Sequence, residues 1–281
     1  MEIHELNDAI RQIFNTLVKS KSTLIVHNGL LDLMFLYHSF YAPLPLSINQ
    51  FVGDLSEMFE CIYDTKVCSE YIVRNRSTFL AYLYKKSERD NQLKERFSID
   101  VQNKIPLLPN DMTRESKNLY LNRKRKLDTL NYCGQYATHG HCYQGKACEK
   151  SHDLDVILDH HEQQVVEESS KKIKTNLTMN EKTVVLEDTM TLKPEIDHSI
   201  KIKSRQEQRP VDDSSFEQYH SASFDAFMTG YIHASQLCQG QAQETKNKVF
   251  LMGKDYPLLV KRSVYEKLSE QHIAKMKKMN S

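Results

Sequence analysis

The stretch STLIVHNGLLD, residues 22–32, decides the fold predicted for this 281-residue chain. Its first six residues, 22–27, form a short and continuous apolar run of the kind found in buried parallel strands. Asn28-Gly29 interrupts this run, and residues 30–40 then have the composition of a very apolar helix. A strand that leads through a tight turn into a helix is the building unit of α/β layers. The sequence therefore predicts an α/β fold.

The segments on either side continue this alternation of helices and strands. Apolar residues recur at helical spacing before the strand, so residues 5–19 are predicted to form an amphipathic helix. The other predicted elements are a helix over residues 51–59, a short strand over 61–64, a helix that includes 79–83, a helix over 222–235 and a hairpin over 247–260. These elements place a predicted core in two parts of the chain, residues 1–100 and residues 214–281.

A cluster of metal-binding residue types lies between these two parts. Cys133, Cys142, Cys148 and His152 follow one another with eight, five and three residues between them. Three thiolates and one imidazole are the ligand set of a closed, tetrahedral structural Zn²⁺ site. The alternative, three free cysteines beside an unrelated histidine, is disfavoured because the whole set falls within 20 residues. Residues 130–156 are therefore predicted to form a zinc-binding unit that depends on its metal to fold.

Composition limits the class of protein. The chain is 40% hydrophobic and 27% charged with a net charge of +1, and it has no apolar run near the ~20 residues that span a bilayer. Outside the cluster it has three further cysteines, Cys61, Cys68 and Cys238, and no signal-peptide pattern at Met1. An odd number of remaining cysteines is typical of a reducing compartment. We expect a soluble, intracellular protein with no membrane partner.

Two polar segments separate the predicted units. Residues 101–129 are a basic connector that contains the run RKRK, and residues 157–213 read as a flexible, disordered linker that contains the run KKIK. Each basic run fits a nuclear-localisation element, a phosphate contact or a solvated charged loop. The sequence alone does not distinguish these three interpretations.

Two acids lie where α/β folds build their sites. Asp32 follows the predicted strand, inside the apolar stretch LLDLMF, where an unpaired carboxylate would be costly. Asp225 lies five residues after His220, at the start of a predicted helix. A carboxylate that holds a divalent cation beside a histidine can activate water. The alternatives are that Asp32 caps a helix, that His220 is a surface histidine and that Asp225 is an ordinary acid at the start of a helix.

These motifs resemble a known family. The segment HNGLLD, residues 27–32, is similar to the second exonuclease motif of DEDD-type 3′→5′ exoribonucleases, and the His220/Asp225 pair followed by Thr-Gly is similar to the third. The segments YDTK, FDAFMTGY and NKVFLMGK narrow the resemblance to the CAF-type deadenylases. The position of the cysteines and histidine resembles nuclear members of that family in which a CCCH zinc finger interrupts the nuclease domain.

The resemblance implies a fold, an activity and site residues. The fold would be ribonuclease-H-like, interrupted by the zinc finger and the linker. Asp32 and Asp225 match the third and fourth of four acids that hold two Mg²⁺ ions for phosphodiester hydrolysis, and His220 matches the histidine that deprotonates or orients the attacking water. The substrate would be the 3′ tails of single-stranded RNA, such as small non-coding RNAs, in the nucleus. Nuclear proteins would be possible partners.

The first motif of the family, an acid-x-Glu pair before Asp32, has no counterpart in residues 1–31. Half of the Mg²⁺ ligands are therefore missing, and we expect an amino-terminally shortened form without catalytic activity. The alternative function is a non-catalytic zinc-finger module that binds RNA or protein. Lys146 and Lys150 would contact phosphate, but Gln144 and Lys150 stand where base-stacking rings are common in related fingers.

Overall fold

The structure, a computed structural model, describes residues 2–99, 131–165 and 222–280, which form a mixed α/β arrangement. The helices are α1 (Glu2–Lys19), α2 (Leu30–Leu36, continued by a π-helical turn over Tyr37–Tyr41), α3 (Ile48–Met58), α4 (Thr65–Val67, continued by a π-helical turn over Cys68–Ile72), α5 (Leu80–Lys94), α6 (Gly134–His139), α7 (described over residues 154–165), α8 (Ala222–Cys238) and α9 (Glu270–Asn280). The strands are β1 (Leu24–Val26), β2 (Ile62–Asp64), β3 (Lys248–Val249) and β4 (Leu258–Leu259). None of the helices in the described ranges is long and apolar enough to cross a membrane.

The strands of the described residues form one sheet in the order β1-β2-β3-β4. β1 and β2 are parallel, with Leu24 opposite Ile62 and Val26 opposite Asp64. β3 runs parallel to β2 and antiparallel to β4, so the predicted hairpin over residues 247–260 is confirmed. The predicted parallel strand within residues 22–27 is confirmed as β1. The sheet thus combines strands from both sides of the cysteine–histidine cluster.

The turn between β1 and α2 depends on two residues of the opening motif. Asn28 has a φ of 56°, the left-handed region that asparagine tolerates better than most residues. Gly29 comes so close to Val26 that an added Cβ would lie 2.4 Å from the Val26 Cβ, a distance that real side chains do not adopt. The chain can therefore turn sharply from the strand into the helix only with glycine at this position.

The first hydrophobic cluster lies between the sheet and the helices α1, α2, α3 and α9. Its centre includes Leu33, Leu55 and Met58, each at most 1% exposed. A buried polar network lies beside this cluster. Asp54 accepts hydrogen bonds from Tyr37 Oη (2.8 Å) and from the Ser269 backbone N–H (3.0 Å) and Oγ (2.6 Å). This network ties the start of α9 to α3.

The second hydrophobic cluster corrects a prediction. The sequence predicts a flexible linker over residues 157–213, but residues 154–165 form α7, in which Ile157 and Leu158 are 0% and 1% exposed. Leu154, Ile157 and Leu158 are spaced so that they share one helix face, which packs against α5 and α8. The linker prediction is therefore wrong for residues 157–165. Residues 166–213, the connector over 101–129 and both basic runs lie outside the described residues.

Candidate functional site

The cysteines and histidine of the predicted zinc unit come together. One ligand atom from each of Cys133, Cys142, Cys148 and His152 lies within 4.8 Å of the others. Cys133 begins α6, where the Tyr136 backbone N–H reaches its Sγ at 3.5 Å. This hydrogen bond lowers the pKa of the Cys133 thiol, which favours the thiolate that binds metal ions. The four side chains form a cluster that can hold a metal ion.

His152 supplies a direct test of whether the cluster suits a metal. Its Nε2 atom is buried and has no hydrogen-bond partner among the described residues. Its ring stacks on that of Tyr136, with centroids 4.4 Å apart and an angle of 8° between the planes. A buried imidazole nitrogen without a partner is costly unless its lone pair goes to a metal ion. The donor set is the one that Zn²⁺ takes in structural sites, and these residues fit it.

Asp32 lies in the first turn of α2 with its side chain exposed. The neighbouring Leu33 points into the first hydrophobic cluster, so the helix places the acid on its outer face. The cost expected for a carboxylate within this apolar stretch therefore does not arise. The position that caps α2 is occupied by Gly29, so Asp32 is not the capping residue.

Asp225 lies in the first turn of α8 and is partly buried. α8 packs against β1, and Asp32 follows β1, so the two acids belong to elements that meet at one strand. Among the described residues, however, the only group of three or more possible metal ligands is the cysteine–histidine cluster. Neither Asp32 nor Asp225 belongs to such a group in the described ranges, and His220 lies outside those ranges.

Asp64 is a structural acid that the sequence reading missed. It is 0% exposed, and each of its two carboxylate oxygens accepts two backbone N–H groups. The donors are Asn28 (2.9 Å), Gly29 (3.2 Å), Lys66 (3.0 Å) and Phe250 (3.0 Å). Burial raises the pKa of Asp64, and the four N–H donors oppose that rise. Asp64 therefore joins the ends of β1, β2 and β3 and fixes the turn that leads to Asp32.

His27 lies at the same end of the sheet. Its Nδ1 atom is 2.9 Å from Thr65 Oγ1. Burial, assisted by the positive charge of Lys66, lowers the pKa of His27 to about 3. The ring is therefore neutral at physiological pH and serves as a hydrogen-bonding group.

The low pKa of His27 predicts a pH dependence of stability. The folded-state value of about 3 lies below the unfolded value of about 6.5, so the unfolded chain takes up a proton that the folded chain refuses. The contribution of neutral His27 to the unfolding free energy is fully present above pH 6.5. It is lost as the pH falls from 6.5 towards 3, by up to about 1.4 kcal/mol per pH unit. Urea unfolding of the His27→Gln variant is expected to show a smaller loss between pH 6.5 and 5.

The control for this prediction is His38→Gln, because His38 is exposed. It is expected to retain the pH dependence of the unaltered chain. Equal losses in the His27→Gln variant and in the unaltered chain would contradict the neutral state of His27.

Comparison with known proteins relates this geometry to a family. Residues 2–233 match the family model described as CAF1 family ribonuclease. Among curated proteins, the poly(A)-specific ribonuclease PARN of Bos taurus is 38% identical over 68 residues, which is 24% of this chain and 11% of that protein. The poly(A)-specific ribonuclease PNLDC1 of Homo sapiens is 40% identical over 53 residues, 19% of this chain and 10% of that protein.

A third relative, the uncharacterized protein C29A10.09c of Schizosaccharomyces pombe, is 33% identical over 61 residues, 22% of this chain and 14% of that protein. The matches thus span about a tenth of the length of these curated relatives. The family model, in contrast, takes in most of the chain, including Asp32, Asp225 and the cysteine–histidine cluster. The chain belongs to the CAF1 ribonuclease family.

Proposed function

We propose that this chain carries part of the active site of a nuclear 3′→5′ exoribonuclease, a deadenylase that trims the 3′ tails of small non-coding RNAs. The observation that carries the proposal is the placement of its two motif acids. Asp32 follows β1, and Asp225 lies in the first turn of α8, which packs on β1, within the region matched by the CAF1 family. The poly(A)-specific ribonucleases among its relatives support RNA tails as the substrate. The nuclear location rests on the resemblance and on the two basic runs.

Asp32 and Asp225 do not by themselves fit a pair of Mg²⁺ ions. Mg²⁺ requires near-octahedral oxygen ligation, and a two-metal site clamps both the attacking and the leaving oxygen. Two carboxylates leave most of those positions without a protein ligand. The 281-residue chain is therefore proposed to be inactive on its own, with His220 as the histidine that would orient water in a complete site.

The cysteine–histidine cluster is proposed to hold a structural Zn²⁺. Its four protein ligands would fill the tetrahedral shell and leave no position for substrate. This ion would therefore supply folding free energy and would not take part in the hydrolysis.

The nuclease proposal is tested by assaying Mg²⁺-dependent shortening of a 5′-labelled RNA that ends in an adenosine tail. The 281-residue chain is expected to leave the RNA intact. A form of the protein in which an acid-x-Glu pair precedes Asp32 is expected to shorten it from the 3′ end. Asp225→Ala in that form is expected to reduce the rate by about 100-fold or more, because it removes a metal ligand.

Asp255→Ala is the matched control, because Asp255 is an exposed acid in the hairpin turn between β3 and β4. Its activity is expected to equal that of the unaltered form. Full activity of the Asp225→Ala variant would contradict the role given to this residue.

A second function is favoured by one observation: among the described residues the cysteine–histidine cluster is assembled, whereas Asp32 and Asp225 belong to no group of three or more possible metal ligands. This alternative is a non-catalytic zinc-binding module that binds RNA or protein partners. This alternative would be favoured over the nuclease if the chain binds the tailed RNA and if no form with an acid-x-Glu pair before Asp32 shortens it.

A further inference from the structure

The zinc-binding unit is part of the second hydrophobic cluster and does not stand apart from it. We call residues 131–153, which contain the four ligands, the Cys–His segment. The buried members of the cluster come from α5, from the Cys–His segment, from α7 and from α8: Tyr82, Leu83, Tyr84, Ala137, Ile157, Leu158, Phe224, Met228, Tyr231 and Ile232. The helix that carries Asp225 thus shares one core with the metal-binding segment.

Close aromatic contacts join the Cys–His segment to α5. Tyr136, which stacks on the ligand His152, meets the ring of Phe79 edge to face, with centroids 5.9 Å apart. Gly140 lies directly against the same ring, since an added Cβ would be 2.7 Å from Phe79 Cδ2. The segment therefore packs on the start of α5 with no room for a further methyl group.

The other face of α5 continues the contact to α8. Tyr84 meets Phe224 and Tyr231 of α8 edge to face, at centroid distances of 5.7 and 5.2 Å. Phe224 directly precedes Asp225 in the chain. A displacement of α5 would thus be transmitted to the first turn of α8.

A buried ionic contact holds α7 in the same assembly. Arg89 of α5 is 3% exposed, and its guanidinium donates to Asp155 Oδ1 from both Nε (2.9 Å) and Nη2 (2.7 Å) and to Asp159 Oδ1 from Nη1 (2.8 Å). Nη2 also donates to the backbone oxygen of Asp155 (2.8 Å). Because a buried guanidinium is stable only with such partners, α5 requires α7 in this position. α7 begins two residues after the ligand His152.

We infer that metal binding by the Cys–His segment positions α8, and with it Asp225, through α5 and α7. The segment contains only the short helix α6 and one 3₁₀-helical turn (Gly145–Ala147), and it contributes Ala137 alone to the buried part of the cluster, so the metal is what orders it. Without the metal, Phe79 loses its packing contacts with Tyr136 and Gly140. The first residue of α7 is then no longer held in place by the bound ligand His152 two residues before it. The inference rests on the proposed metal site and is independent of the proposed nuclease activity.

Amide hydrogen exchange of the full chain, read by mass spectrometry with and without a zinc chelator, tests this inference. After chelation, exchange is expected to become at least tenfold faster in α5 and α8 as well as in the Cys–His segment. It is expected to stay unchanged in α3 and α9, which belong to the first hydrophobic cluster. Changes confined to the Cys–His segment, or spread equally over the whole chain, would overturn the inference.

Two glycines of the same segment provide a matched pair of variants. Gly140 and Gly145 both have positive φ, 69° and 50°, so alanine is strained at either position. An added Cβ at Gly140 meets Phe79, whereas one at Gly145 meets no atom within 4 Å. In the zinc-loaded chain, Gly140→Ala is expected to accelerate exchange in α5 and α8 about tenfold, and Gly145→Ala less than twofold. Equal effects of the two variants would overturn the inference.

Arg89→Met provides a test that leaves the ligands and the Cys–His segment intact. It is expected to retain the zinc and to accelerate exchange in α7 and α8, because Asp155 and Asp159 lose their buried partner. Unchanged exchange in α8 of this zinc-loaded variant would overturn the inference even if Gly140→Ala fails to fold.

Discussion

Replacing Cys148 with serine is expected to abolish zinc binding, whereas the unaltered chain is expected to hold about one zinc ion per molecule. The serine hydroxyl is a far weaker ligand than a thiolate, and the remaining ligands would be Cys133, Cys142 and His152. Metal analysis of the purified proteins measures the difference. The four ligand atoms lie within 4.8 Å of one another, so the loss of one removes a corner of the tetrahedron.

The Cys148→Ser variant is also expected to be strongly destabilised. Structural zinc supplies on the order of 10 kcal/mol of apparent folding free energy in small zinc-binding units. Its loss is expected to unfold the Cys–His segment at room temperature. A weaker near-ultraviolet circular dichroism signal, to which Tyr136 contributes, and faster amide hydrogen exchange in the Cys–His segment would show this unfolding.

Cys238→Ser is the control for this prediction, because Cys238 is an exposed cysteine at the end of α8 and outside the cluster. It is expected to retain the zinc and the stability of the unaltered chain. An unchanged metal content in the Cys148→Ser variant would refute the metal site.

An Asp64→Ala variant is expected to lose about 3–5 kcal/mol of unfolding free energy. The substitution leaves four backbone N–H groups without an acceptor in a position that is 0% exposed. Those groups belong to the turn after β1, the start of α4 and the residue after β3, so three parts of the chain lose their common contact. Urea denaturation, monitored by far-ultraviolet circular dichroism, measures the change.

Asp32→Asn is the matched control for stability, since Asp32 is an exposed carboxylate on the helix that follows the same turn. It is expected to change the unfolding free energy by no more than about 0.5 kcal/mol. A loss below about 1 kcal/mol for Asp64→Ala would contradict the structural role assigned to that carboxylate.

Asp64, which accepts hydrogen bonds from the turn after β1, and Asp32, which lies on the helix that follows this turn, thus differ in their environment. Asp64 is buried and holds the strand ends together, whereas Asp32 is exposed on α2. Both acids lie next to apolar residues in the sequence, so hydropathy alone does not separate them. Their burial separates them, and burial is set by which face of each element meets the core.

Much of the local structure was predictable, because it depends on residues close together in the chain. The apolar run and the Asn28-Gly29 break predicted β1, the turn and α2, since these follow from strand composition and backbone conformation. The spacing of the four metal ligands predicted a common cluster, because three cysteines and one histidine within 20 residues are the ligand set of a structural zinc site. Motif order also predicted the family, which the match over residues 2–233 shows.

Tertiary structure alone decided how these local units fit together. Arg89 and Asp155 are 66 residues apart in the chain, and Asp64 and Phe250 are 186 apart, so no local pattern relates them. The polar composition after residue 156 predicted a linker, but a helix needs only one apolar face, and α7 buries that face against α5 and α8. The mean hydropathy of a segment includes the residues on every face of a helix, whereas only the residues on the packed face need to be apolar. For this reason the sequence singled out the candidate metal ligands and the motif acids, and the tertiary structure decided that the Cys–His segment and the helix of Asp225 share one core.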